Sequence, residues 1–316
     1  MAERRIIAVA GATGAQGGGL VRAILADPGG GFGVRAITRD PKSPAAAALA
    51  AQGAEVVAAD IGDEAALTEA LRGVHGAYFV TFFWAHFSPE REKAEVAAMA
   101  AAAKAAGVKH AIWSTLEDSR RWIPLDDTRM PTLMGHYKVP HFDAKGESNA
   151  RFTELGVPTT FLHTSFYWDN LIHFGMGPKP GPDGKLAFTL PMGERKLPGI
   201  AAEDIGKCAY GIFRAGAAYV GRSLGIAGGH LTGAQMAASL SKALAQEVRY
   251  NAITPAAFRA FGFPGADDLG NMFQFNHDFA DEFCKARDID ESRRLNPALL
   301  DFDAWLAQNK ARIPLA

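Results

Sequence analysis

Cysteine is scarce: Cys208 and Cys284 are the only two in 316 residues. They lie far apart and match neither a metal-ligand spacing nor a redox pair, which excludes a disulfide scaffold and a thiolate metal centre and predicts two buried thiols. Charge of one sign is also lacking. The formal net charge is −1, with 33 basic and 34 acidic residues, and the basic residues are scattered. No long-range field gathers nucleic acid or anionic lipid, and no recognition-helix motif occurs, so neither a nucleic-acid nor a membrane partner is expected. No apolar run is long enough to span a bilayer, and the first strand begins within a few residues of Met1, which reads as a cytoplasmic protein. Internal repeats and low-complexity tails are absent, and no metal site is expected.

What the chain does have is Val9-Ala10-Gly11-Ala12-Thr13-Gly14-Ala15-Gln16-Gly17-Gly18, glycines spaced G-x-x-G-x-x-G between an apolar run and a helical pattern. Ile6 to Ala10 read as a buried parallel strand, and Gly18 to Ala26 as a helix stopped by Asp27-Pro28. Gly11 permits the tight turn, Gly14 bares backbone where a pyrophosphate approaches, and Gly17 lets helix and strand pack closely. The helix N-terminus then faces the anion. An ordinary glycine-rich loop is the alternative, and the position between strand and helix favours a dinucleotide site.

Strand and helix patterns then alternate: strands at 33–38, 55–59, 77–81, 108–113 and 159–163, with helices at 45–51, 65–71, 89–106 and 141–156. Such alternation means right-handed crossovers and a doubly wound parallel sheet, an α/β fold. Arg39 stands just past the second strand, near the roughly 20-residue offset of the ribose-reading position. A guanidinium there suits a 2′-phosphate and favours NADP(H) over NAD(H), with Lys42 close behind. A solvated surface arginine is the alternative. Asp60 and Ile61 lie where an adenine edge would rest, although Asp60 also reads as a helix cap, and Thr81 ends the fourth strand.

From Leu116 to Pro140 the pattern breaks into a long segment that reads as a lid, a binding loop or filler. Aromatic residues cluster at the carboxyl edge of the sheet. Phe83, Trp84, Phe166, Tyr167 and Trp168 are the candidate substrate pocket, with ordinary packing as the alternative. Residues 175–193 are rich in glycine and proline and mark a boundary, with a short strand at 188–190. The expected division is a dinucleotide-binding domain at 1–163, to which 201–228 returns with a strand near 221–226. A smaller, mainly helical lobe takes 164–200 and 229–316, with helices at 232–244, 255–262 and 301–309.

Taken together, Gly11 to Gly18, Thr38-Arg39, His141-Phe142-Asp143-Ala144-Lys145-Gly146-Glu147, Asn170-Leu171 and Gly262-Phe263-Pro264-Gly265-Ala266 resemble the NmrA-like family of atypical short-chain dehydrogenases/reductases. Asp268-Leu269 and Asn271-Met272-Phe273 extend the likeness toward its HSCARG-type NADPH-sensor branch. The resemblance implies a Rossmann domain binding NADP(H), a smaller C-terminal lobe and a cleft between them. It assigns phosphate contacts to Thr13, Gln16 and Gly17 within the Gly11, Gly14 and Ala15 loop, the 2′-phosphate to Arg39, and the nicotinamide ribose to Lys145. It also implies a homodimer. Ordinary members of the wider superfamily use Tyr-x-x-x-Lys, but here the residue four before Lys145 is His141. Tyr137 lies eight before, beyond Pro140.

Two functions follow. One is an NADP(H)-responsive regulator that binds a protein partner differently when the cofactor is present, the reading favoured by the missing tyrosine and by the sensor branch. The other is an NADPH-dependent reductase of a small apolar or aromatic carbonyl, enone or quinone. It would use Lys145, with His141 or water as proton source and Ser114 orienting the acceptor.

Overall fold

The computed structural model describes residues 4–181 and 183–315; residues 1–3, 182 and 316, which fall within the expected domain spans, lie outside it. The chain begins β1 (Arg5–Ala10), α1 (Ala15–Leu25), β2 (Phe32–Thr38), α2 (Pro44–Ala51), β3 (Glu55–Ala58), α3 (Glu64–Ala70), β4 (Gly76–Phe79) and α4 (Pro89–Ala105). It continues through β5 (His110–Thr115), α5 (Pro140–Glu154), β6 (Thr159–His163), β7 (Phe166–Tyr167), α6 (Asn170–His173), β8 (Lys179–Pro180), β9 (Leu186–Leu190) and β10 (Lys196–Ile200). After α7 (Ala202–Ala215) come β11 (Ser223–Gly225), β12 (Gly229–Thr232), α8 (Gly233–Leu244), β13 (Val248–Ala252) and α9 (Pro255–Arg259). The last helices are α10 (Ala266–Asp278), α11 (Ala280–Lys285), α12 (Ile289–Leu295) and α13 (Phe302–Asn309).

Seven strands form one parallel sheet in the order β11-β6-β5-β4-β1-β2-β3. Strand β1 shows why the run is apolar on both faces. Its Ile7 and Val9 pack toward α1 and α7, while Ala8 and Ala10 pack toward α3 and α4, so neither face meets water. The chain winds outward from β1 to β3, then crosses to β4 and winds the other way. That reversal opens a crevice at the carboxyl ends of β1 and β4, where ligands of doubly wound sheets bind. Helix α7 returns to this sheet and crosses α1 through glycines: a Cβ on Gly206 would stand 2.1 Å from the Leu20 nitrogen, and one on Gly19 would stand 2.6 Å from the Glu203 carbonyl.

The remaining part is mainly helical, as expected, and adds two three-stranded sheets, β12-β10-β7 and β13-β9-β8. The expected strand at 188–190 lies within β9. The core of this part corrects one expectation. Trp168 is 1% exposed, with its ring 5.3 Å from Phe302 and 6.3 Å from Trp305. It fills the space that a side chain at Gly199 would occupy and forms core, not pocket wall.

The segment between β5 and α5 is likewise not a free lid. Ile123, Met130 and Val139 pack with Phe142, Phe275 and Phe283. Asn271 of α10 donates to the carbonyls of Lys138 (2.6 Å) and Pro131 (2.9 Å). Buried Lys138 in turn donates to the carbonyls of Asp127 (2.7 Å) and Met130 (2.8 Å). This strap ties the end of β5 to α10.

Candidate functional site

One cavity of about 740 Å³ lies over the crevice and is bordered by both parts of the chain, within the 300 to 1,000 Å³ usual for small-molecule sites. Its floor is the turn between β1 and α1. Gly11 takes the left-handed conformation (φ +67°), and Gly14 donates its amide to the Gly11 carbonyl at 2.9 Å. A Cβ on Gly17 would stand 2.4 Å from the same oxygen, so only glycine lets helix and strand approach this closely. Helix α1 has no side-chain cap and no acidic residue in its first turn. Its free amides and positive dipole end therefore face the cavity at Ala15, Gln16 and Gly17, beside Thr13 and Gly14, a donor set suited to a phosphate.

Arg39 borders the cavity past the end of β2 and is exposed, with its guanidinium free of protein hydrogen bonds among the described residues. Arg35, on the same strand, instead donates to the carbonyls of Ala70 and Arg72, each at 2.9 Å. Asp40 is used in the turn, where its Oδ1 accepts the Lys42 amide at 3.0 Å. Lys42 itself is exposed and does not border the cavity. Asp60 and Ile61 border the cavity; Asp60 Oδ1 accepts the Gly62 amide at 2.8 Å, so its carboxylate also shapes the local turn.

Thr81 and Lys145 meet beneath the cleft on a group that sequence reasoning missed. Lys145 Nζ pairs with Glu92 Oε1 at 2.6 Å, and the Thr81 hydroxyl bonds to both Glu92 and Lys145. Glu92 is fully buried. Its place in a Glu/Lys-rich helix reads in sequence as a solvated face, so nothing marked it. Glu92 Oε2 and Glu95 Oε2 lie 3.6 Å and 3.7 Å from His86 Nε2. The Ser88 amide donates to His86 Nδ1 at 3.0 Å, so neutral His86 carries its proton on Nε2. At these separations neither His86 Nε2 nor Glu92 Oε2 has a hydrogen-bond partner among the described residues, and with its proton on Nε2 the ring offers no bare nitrogen to a metal.

Gln16 is the second hub. Ser114 donates to its Oε1 at 2.7 Å, Tyr78 donates to the same oxygen, and Gln16 Nε2 donates to the Tyr167 hydroxyl. Burial pushes both tyrosine hydroxyls up from their ordinary pKa, so both stay protonated. The Gln16 side chain is thus spent on positioning Ser114 and Tyr167, which leaves its backbone to the phosphate cradle.

His141 stands in the first turn of α5, after Pro140 at the helix start. Its Nδ1 lies 2.6 Å from Asp268 Oδ1, and its amide donates to Asp268 Oδ2 at 3.2 Å. A carboxylate only accepts, so Nδ1 carries a proton and Nε2 is left for a molecule in the cavity. The ring lies 4.8 Å from Trp84 and 5.9 Å from Phe83. Tyr137 is directed elsewhere, donating to Glu90 at 2.8 Å, and takes no part. Phe83, Trp84, Phe166 and Tyr167 border the cavity as expected, and α10 adds Leu269, Met272 and Asn276. The strap contributes Leu116. Asp268 escaped sequence reasoning as a partner of His141 because it lies 127 residues away, on α10, and nothing in the sequence marked Asn276.

A doubly wound sheet with an uncapped glycine-turned helix at its switch point, a free arginine past β2 and an aromatic chamber above defines a dinucleotide-binding class of fold. A model of the NmrA-like family matches residues 3–306. The chain is 31% identical over 286 residues to the NmrA-like family domain-containing oxidoreductase FrzB of Cladobotryum sp, covering 85% of this chain and 83% of that protein. It is also 31% identical over 280 residues to the NAD(P)H azoreductase of Xenophilus azovorans, covering 85% and 86%. Among solved structures, the negative transcriptional regulator NmrA is similar with a TM-score of 0.78 at 24% identity, covering 97% of this chain and 95% of that one. Forms of NmrA solved with NAD and with NADP match as well. The chain belongs to the NmrA-like family.

Proposed function

We propose that the chain is an NADPH-dependent reductase of flat, apolar acceptors: quinones, enones or aromatic carbonyls. The observation that carries this reading is the continuity of the cavity, which runs from the α1 amides and Arg39 into an aromatic chamber bordered by His141. Thr13, Gly14, Ala15, Gln16 and Gly17 would hold the pyrophosphate, Arg39 the 2′-phosphate, Asp60 and Ile61 the adenine, and Lys145 the nicotinamide ribose. The names of the relatives, an oxidoreductase and an azoreductase, support the same class of activity.

When bound, the reduced dinucleotide supplies a hydride. The chain supplies the rest. Glu92 and Thr81 hold Lys145 in place, Gln16 holds Ser114 and Tyr167, and the aromatic walls exclude water. His141, oriented through Nδ1 by Asp268, presents Nε2 to the acceptor oxygen and relays to it a proton drawn from solvent. The test follows NADPH absorbance with 1,4-naphthoquinone. Oxidation above background that falls in Lys145→Met supports the reading. No oxidation across a panel of quinones, enones and aromatic aldehydes refutes it.

A regulator of the HSCARG-type sensor branch is the second reading, and one feature favours it. The cavity is bordered by both parts of the chain, so an occupant touching both biases how they close. The homodimer that the resemblance implies, the protein partner, and the cytoplasmic placement expected from the sequence belong with it. An unchanged proteolysis pattern and oligomeric state with and without NADPH would count against it.

A further inference from the structure

Helix α4 turns two acidic side chains in different directions. Glu92 pairs with Lys145. Glu95, three residues on and about 60° around the helix, lies instead against the loop after β3. A Cβ on Gly62 would stand 3.4 Å from Asp60 Oδ1 and 3.8 Å from Glu95 Cγ, so these two residues flank that loop. Both border the cavity, together with Ile61. Glu95 is 7% exposed, and its two oxygens differ. Oε1 accepts from Arg91 Nε at 3.0 Å. Oε2 has no hydrogen-bond partner among the described residues, since His86 Nε2 at 3.7 Å is too distant for one. Glu92 Oε2 is unpaired and sealed within the chain, whereas Glu95 Oε2 keeps accessible surface.

An unpaired carboxylate oxygen on a nearly buried residue asks for a donor. It repels phosphate, so it has no share in the cradle formed by the α1 amides and Arg39. On an adenine ring the exocyclic amine is the donor, and the ring nitrogens accept. An adenine resting at Asp60 and Ile61 therefore meets Glu95 through its 6-amino group. Asp60 is the weaker candidate for that bond, because it is exposed and already spends Oδ1 on the Gly62 amide. A hydrogen bond made in water discriminates little. One made to a carboxylate withdrawn from water discriminates more, because a 6-oxo group there would set two acceptors against each other.

We propose that Glu95 selects the base of the cofactor: its Oε2 accepts a hydrogen bond from the 6-amino group of adenine and disfavours a 6-oxopurine in the same place. This rests on the dinucleotide placement given above and is independent of what is reduced in the chamber. Arg91, by occupying Oε1, leaves Oε2 as the oxygen on offer.

The test titrates the protein calorimetrically with NADPH and with reduced nicotinamide hypoxanthine dinucleotide phosphate, which carries a 6-oxo group in place of the amine. The wild type is expected to bind NADPH about tenfold more tightly. In Glu95→Gln the carboxamide accepts from an amine and donates to an oxo group, so the two dinucleotides bind alike, and Glu95→Leu loses the preference as well. Native circular dichroism and retained binding of NADPH by either variant separate a lost preference from a lost fold. A preference unchanged in Glu95→Gln, or one lost in Asp60→Asn and kept in Glu95→Gln, overturns the assignment. Equal binding of the two dinucleotides by the wild type overturns it while the cofactor placement stands. Binding of neither overturns both.

Discussion

The two sides of the cleft treat their polar groups in opposite ways. On the side formed by β1, α1 and β2, donors are left open: the amides of the α1 N-terminus have no side-chain cap, and Arg39 has no side-chain partner among the described residues. On the side formed by α4, α5 and α10, the reactive polar groups are paired within the chain. Lys145 is held by Glu92, His141 by Asp268 and Ser114 by Gln16, while His86 Nε2, Glu92 Oε2 and Asn276 Oδ1 have no partner among the described residues. An open donor set binds by offering bonds to whatever anion arrives. A saturated one cannot gain affinity that way and instead fixes a few reactive atoms in place. The contrast is that between a cofactor side and a reaction side.

The largest expected effect is on the ion pair that ties the C-terminal part to the ends of β5 and β6. Buried Arg287, just past α11, forms a fork with Glu117 of the strap at 2.7 Å and 2.9 Å and donates to the Thr164 carbonyl after β6 at 2.9 Å. Burial would raise the Glu117 carboxyl, but the Arg287 charge and His163 outweigh it and hold it well below the usual carboxylate range. Glu117→Ala strands a buried guanidinium and should cost about 3 to 5 kcal/mol, read as a lower urea midpoint at unchanged slope. Because the folded carboxyl is depressed, this stabilisation is present above the unfolded pKa and is lost only as pH falls through the folded one.

On the open side, Gly17→Val places a branched side chain against the Gly11 carbonyl and should weaken NADPH binding by about a hundredfold while circular dichroism stays native. An unaltered calorimetric affinity would mean the turn is not the phosphate cradle. On the saturated side, His141→Phe should lower kcat by about a hundredfold with KM for NADPH unchanged. Asp268→Asn should lower kcat less, about tenfold, and shift the pH profile. Equal effects on NADPH binding by these variants would erase the contrast between the sides.

The most gradual effect lies away from the cleft. Burial lowers the His110 pKa to about 4, with its Nε2 at 2.8 Å from Thr160 Oγ1. A depressed histidine stabilises the fold above its unfolded pKa near 6.5 and loses that stabilisation as pH falls toward 4. The expected loss is roughly 1 kcal/mol per pH unit across that window. Denaturation of His110→Gln should show a shallower acid limb.

The open side was the more legible from sequence, and the reason is local. Gly11, Gly14, Gly17 and Arg39 act through backbone and position within one strand-turn-helix-strand unit, where spacing alone carries the meaning. The sheet was readable for the same reason, since Ile7, Ala8, Val9 and Ala10 are buried on both faces. The saturated side depends on pairs far apart in the chain. His141 and Lys145 were visible, but Asp268 and Glu92, which hold them, look in sequence like ordinary acidic residues of a helix. Trp168 was misplaced because an aromatic beside a sheet edge reads alike as core and as pocket; only Gly199 and Phe302, both distant, decide between them. The strap was misjudged because its anchors, Asn271 and Phe275, lie on α10.

Calorimetric titration of the wild type and Arg39→Ala with NADPH and NADH tests the central claim most directly. The account predicts that the wild type favours NADPH by about ten- to a hundredfold, the worth of charge-assisted bonds to one phosphate, and that Arg39→Ala binds the two alike. No heat with either dinucleotide, or equal affinity for both before and after the substitution, would contradict it.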